Sequence, residues 1–229
     1  MAQHNKSIGI NSGRSMDTGN VSAIISAAAG ISGVLLGNSF VAIKEILTNR
    51  SKARKDTAYL AIIVVSHLER FADGCSHVAY DDGTAYGAPA GKDGSCEATT
   101  KPPEFQPLDL DVDWRVLPRD LMYAILRLPS EREKIQSKLE GFSYDDDHPY
   151  YTEYFWVRRR EYACLGLHAS ALERRLRKHA GMPIDVPKPG DWCRDKALRN
   201  VVTEIDEKRQ ASAQRLAEHH VTFPAPFRP

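Results

Sequence analysis

The sequence predicts a mainly α-helical protein. One N-terminal transmembrane helix continues into a cytoplasmic helical bundle, with a long Gly/Pro-rich loop and at most one short hairpin or strand. Three observations lead to this class. Residues 18–43 run for 26 positions without a formal charge, and about 20 apolar residues suffice for a helix to cross the hydrocarbon core. Five bases follow at once: Lys44, Arg50, Lys52, Arg54 and Lys55. Beyond them, apolar side chains recur at three- and four-residue spacing in several segments, the seam of packed helices.

The totals agree with a chain that buries a core. Its 229 residues are 42% hydrophobic and 27% charged, too apolar for wholesale disorder. A net charge of +1 excludes a bulk electrostatic nucleic-acid binder, so no nucleic-acid partner is expected. Cys75, Cys96, Cys164 and Cys193 form no CxxC pair and suit neither a disulfide framework nor a zinc finger. No repeat is present at a solenoid period.

The first element decides the localisation. Residues 1–19 are predicted to be a short non-cytoplasmic segment, 20–43 the transmembrane helix, 44–221 the cytoplasmic domain and 222–229 a Pro-rich tail. The span holds several serines, Asn38 and three glycines, which lipid tolerates because a helix satisfies its own backbone donors. A soluble amphipathic helix would show a charged face, and none exists here. A cleavable signal peptide fits poorly, since the apolar run starts late and is long. Bases concentrate on the C-terminal flank, at Lys44, Arg50, Lys52, Arg54 and Lys55, and hold that side in the cytoplasm. The expected location is therefore an inner or plasma membrane, with the cysteines in a reducing compartment. Ala29, Gly33 and Gly37 repeat every four residues, a small-residue stripe through which two spans could pack into a homo-oligomer.

The span is predicted to continue as one helix through Phe71 and to stop at Gly74. Thr57, Ala61, Val64, Leu68, Phe71 and Cys75 keep heptad spacing. The loop 74–107 is rich in Gly, Pro, Asp and Thr, with a small hairpin turning at Asp82–Gly83. In 108–114, Leu108, Leu110, Val112 and Trp114 alternate with aspartates, the pattern of one strand or extended segment. A short helix is expected from Pro118 to Leu128, ended by Pro129, and a second over 131–140. Ser130 and Glu133 form the capping box of that second helix, and Gly141 closes it. The longest soluble helix lies between Pro149 and Gly181, roughly 45 Å at about 1.5 Å per residue. Its seam comprises Phe155, Tyr162, Leu165, Ala169, Leu172, Leu176 and His179, with Arg158 the one charged member. A last helix opens after Asp191 and runs to about His219, with Leu198, Val201, Val202 and Ile205 as its apolar face.

Chemistry is sparse. Asp109, Asp111, Asp113 and Asp120 match EF-hand loop positions 1, 3, 5 and 12, but Trp114 stands where that loop needs glycine. Asp145, Asp146, Asp147, His148 and Glu153 gather among aromatics, a carboxylate cluster more simply read as the acidic entry to a helix. His67, Cys75, His77 and Cys96 match no closed zinc spacing. No GxSxG, P-loop, GxGxxG or HExxH occurs. No catalytic residue, metal or cofactor is assigned. Basic clusters at Arg158–Arg160 and at Arg174, Arg175, Arg177 and Lys178 offer candidate headgroup contacts. The expectation is a single-pass membrane protein whose helical domain acts by protein–protein or lipid contact. The alternatives are a membrane-perturbing homo-oligomer and an enzyme or metal-binding domain using the Asp/His-rich loops.

Overall fold

The computed structural model describes residues 44–142, 147–184, 188 and 190–218 in full, and residues 18–43 and 219–222 only as parts of helices. The chain divides into two units, Met1–Lys52 and Ala53–Pro229. Among the described residues four helices follow one another: α1 (Thr18–Tyr80), α2 (Arg119–Glu140), α3 (Thr152–Ala180) and α4 (Arg194–Thr222). Between α1 and α2 lies a hairpin of β1 (Thr84–Ala85) and β2 (Ala88–Pro89). The mainly helical class therefore holds. Among the described residues no helix is long and apolar enough to cross a membrane. The span predicted over 20–43, its stripe Ala29, Gly33 and Gly37, and the segment 1–17 fall outside the residues described in full.

In the second unit, the heptad seam of α1 does what its spacing requires. Ala61, Val64, Leu68, Phe71 and Cys75 are buried, joined by Leu60, Val65, Ala72 and Val78. They meet α2 and α3 in one core. The helix does not stop at Gly74 but runs to Tyr80. A Cβ on Gly74 would lie 2.5 Å from Pro103 Cβ, so this glycine admits the returning loop against the helix rather than ending it. The helical penalty of a glycine, about 1 kcal/mol, is smaller than the burial gained by Cys75, Val78 and Ala79 beyond it.

The loop is correspondingly shorter than expected. Its hairpin turns at Tyr86–Gly87, not at Asp82–Gly83. Both residues have positive φ, 53° and 80°, the requirement of a type I′ turn. Residues 108–114 form no strand. Two 3₁₀ turns, Pro107–Asp109 and Trp114–Val116, replace it. The alternation survives in part, since Leu110, Val112 and Trp114 pack on the core while Leu108 is 78% exposed.

Two predicted short helices are one. α2 passes through Pro129, because Leu121, Ile125 and Leu128 before it and Ile135 and Leu139 after it share one buried face. A proline inside a helix costs about 3 kcal/mol, whereas each large apolar side chain buried returns about 1.5–3 kcal/mol. Five such residues outweigh one missing N–H.

α3 matches its predicted extent. Gly181, with φ 68°, caps it, and the Met182 N–H donates to the Arg177 carbonyl at 2.9 Å. Every predicted seam residue is buried except His179, which is exposed. Gly166 sits where α1 and α4 close on α3. A Cβ there would meet Leu198 Cδ1 at 3.0 Å and Cys75 Cβ at 3.1 Å. Leu198, Val201 and Ile205 bury α4. Past Ile205 every described residue but Ser212 is exposed, as the fading apolar pattern implies.

Candidate functional site

The charged seam residue of α3 has the most demanding environment in the bundle. Arg158 and Asp81 form an ion pair at 2.8 Å with both side chains 2% exposed. Asp81 also accepts from the N–H groups of Gly83 (3.1 Å), Thr99 (2.9 Å) and Thr100 (2.8 Å), and from the Thr99 hydroxyl (2.9 Å). Arg158 returns a second bond to the Thr100 carbonyl. Burial alone would raise the Asp81 carboxyl. The Thr100 and Gly83 N–H groups, the Thr99 hydroxyl and the Arg158 charge outweigh it and hold the group below the usual carboxylate range. Every strong donor and acceptor here is used internally. The arrangement fastens the loop after α1 onto α3 and leaves no lone pair aimed at a substrate.

Most other arginines of the predicted basic clusters are likewise engaged. Arg160 reaches Asp206 at 2.6 Å, Arg174 pairs with Asp195, Arg175 with Asp120, and Arg177 with both Glu69 and Glu173. Arg159 donates to the Ala79 carbonyl at 3.0 Å. These clusters therefore bind the bundle together, and Arg158 in particular is too buried to meet a headgroup. Lys178 differs, being exposed and without an ion pair among the described residues. The five bases of the α1 flank also differ. Lys44, Arg50, Lys52, Arg54 and Lys55 are all exposed, and none has an ion pair among the described residues.

Three clefts lined by described residues lie on the surface of the second unit. One of about 730 Å³ is lined by Arg54, Lys55 and Ala58 of α1, by Val116, and by Lys178 and His179 at the end of α3. A second, about 340 Å³, lies between α2 and α3 and holds Glu131, Lys138, Glu161, Cys164 and His168. His168 Nδ1 is 2.9 Å from Glu131 Oε2, and Lys138 donates to Glu161 at 2.6 Å. A cysteine one helical turn from a histidine held by a carboxylate invites a nucleophile assignment. Burial pushes the Cys164 thiol up, and the Arg160 charge offsets this only in part, whereas a nucleophile needs its thiolate. The third cleft, about 310 Å³, collects Phe142, Tyr151, Tyr154 and Phe155 beside Cys96 and Glu97.

The remaining sequence candidates do not come together. Asp113 turns back onto Arg115, accepting from its Nε at 2.8 Å and its backbone N–H at 3.0 Å. Asp145 and Asp146 lie outside the described residues. Cys75 is in the core, where burial pushes its thiol far up, while His77 is exposed. Among the described residues no group of three or more His, Cys, Asp or Glu side chains is placed to hold a metal. Sequence reasoning missed Asp81. The signal for Asp81 was indirect, a charged residue on the seam of α3 that demanded a buried partner. Compared with family models, curated proteins and solved structures, the chain matches none.

Proposed function

We propose that the chain is a single-pass membrane protein, spanning at residues 20–43, whose helical domain lies on the cytoplasmic side and acts by contact with lipid or protein. The observation that carries this reading is the division of its cations. Five of the six arginines of α3 are matched to acids, Arg158 and Arg160 at 2.8 and 2.6 Å, and the sixth, Arg159, to the Ala79 carbonyl. The five bases that directly follow 26 uncharged residues on the same helix are matched to none among the described residues. Unpaired bases beside an apolar span are what anionic headgroups and the positive-inside rule call for. The contact reading also suits the outer face of α1, where Tyr59 and Ile62, one turn apart, are 61% and 60% exposed. An enzymatic reading finds less support, because the candidate thiol is raised, Asp113 is turned onto Arg115 and Asp120 is paired with Arg175.

The test is extraction of native membranes with alkaline carbonate, followed by protease protection of sealed vesicles. The full chain is expected to stay in the pellet, with the α3–α4 region cleaved only from the cytoplasmic side. Release into the supernatant would end the spanning assignment. Cleavage from the opposite face would reverse the topology.

A further inference from the structure

We infer that the cleft lined by Arg54, Lys55, Lys178 and His179 binds the phosphate of an anionic lipid headgroup. The choice of a lipid rests on the membrane reading above. The cleft itself is independent of it. Segments more than 120 residues apart in sequence bring four cationic or N–H-bearing side chains to one hollow of about 730 Å³. All four are exposed, and none is ion-paired among the described residues. Their neighbours set the contrast. Arg174, Arg175 and Arg177, on the same two turns of α3 as Lys178, are each joined to a carboxylate. A paired guanidinium gains little from a further anion, whereas an unpaired ammonium gains a charge-assisted bond.

One contribution opposes binding. The hollow includes the C-terminal end of α3, which carries roughly half a negative charge. Two of its carbonyls are already covered, since Gly181 and Met182 donate to Lys178 and Arg177. Three full positive charges and an imidazole exceed what remains. The walls also hold Ala58, Val116 and Ala180. Inorganic phosphate has no use for apolar walls, but the glycerol and first acyl carbons of a lipid do. The position agrees as well: Arg54 follows the last uncharged residue, Ile43, by eleven places in the sequence.

The test uses the full chain in an uncharged detergent, titrated calorimetrically with dihexanoyl phosphatidic acid. Parallel titrations use dihexanoyl phosphatidylcholine and inorganic phosphate. Saturable binding of phosphatidic acid, at least about tenfold tighter than either control, is expected. The double variant R54Q/K178Q should weaken it at least about tenfold, R54K/K178R should retain it, and K92Q/K101Q in the loop should leave it unchanged. Equal affinity for inorganic phosphate would overturn the lipid assignment. Unaltered binding by R54Q/K178Q, or no saturable binding, would overturn the site. A chain released by carbonate that still binds phosphatidic acid through Arg54 and Lys178 would remove the span and leave this cleft standing. A carbonate-resistant chain with no such binding would do the reverse.

Discussion

Replacing Arg158 with methionine isolates the buried ion pair. The side chains are similar in length, so packing along the α3 seam is largely kept. The charge and two hydrogen bonds are lost, to Asp81 at 2.8 Å and to the Thr100 carbonyl. Asp81, 2% exposed, then remains a buried carboxylate with only neutral donors. Removing one partner of such a pair costs about 3–5 kcal/mol. For a chain of this size each kcal/mol moves Tm by about 2–4 °C, so a fall of roughly 6–20 °C is expected by circular dichroism at 222 nm. The double variant Asp81→Asn/Arg158→Met removes both charges and should cost less than the two single changes added together. The pH dependence has a defined sign. The Asp81 carboxyl is held below its ordinary value, so its contribution is present above the unfolded pKa of about 3.9 and is lost as pH falls through the lower folded value. Wild-type stability should therefore drop below about pH 4, and Asp81→Asn should flatten that limb. An R158M protein melting within about 2 °C of wild type would show that the pair contributes nothing.

Other perturbations test the close approaches and the thiols. Gly83→Ala should destabilise by more than about 2 kcal/mol, because φ is +81° and the new Cβ would fall 2.2 Å from Phe155 Cζ; a melting point unchanged by this variant would contradict the placement of the loop on α3. Gly166→Val should cost about 1–3 kcal/mol by overpacking the α1–α3–α4 junction, measured by urea unfolding. Iodoacetamide at pH 8 should leave Cys75 unmodified in the folded chain, since burial raises its thiol far above the ordinary value, and peptide mapping after brief labelling reads this directly.

The helices were legible where one rule acted alone. The seam of α3, its glycine stop and the apolar face of α4 followed from spacing. Errors arose where two local rules competed with a tertiary gain. Pro129 and Gly74 both read as helix breakers, and both lie inside helices, because the cost of each is local while the core on either side is continuous. The 108–114 segment alternated like a strand, yet no neighbouring strand exists among the described residues to pair with it, so the chain took up 3₁₀ turns and kept only the inward side chains. The hairpin was found but misplaced by four residues. Asp82–Gly83 is a good turn dipeptide, but Gly83 accepts two backbone N–H groups, from Ala90 and Glu97, and lies against Phe155, which commits it to the core. Charge pairing was the least legible property. Arg177 meets Glu69 across 108 positions, and no periodicity encodes such a partner.

That failure bears directly on function. From sequence, the two arginine-rich clusters of α3 were candidates for meeting lipid alongside the bases that follow residue 43, and the near-neutral total did not separate those two clusters. Folding ranks them. Acids of α1, α2, α4 and the loop at Asp81 converge on five of the six arginines of α3, so the charge of that helix's arginines is largely met within the bundle. The exposed bases left without an acid include those at the start of the described part of α1 and Lys178 at the end of α3, which lines the same cleft as Arg54 and Lys55. A net charge of +1 is thus no measure of the field a partner meets. Buried pairs are little affected by ionic strength, while exposed unpaired bases are screened within about 8 Å at physiological salt. Contact with an anionic surface should accordingly respond to salt under conditions that leave the fold intact, which is the behaviour expected of a domain whose electrostatics serve two separate ends.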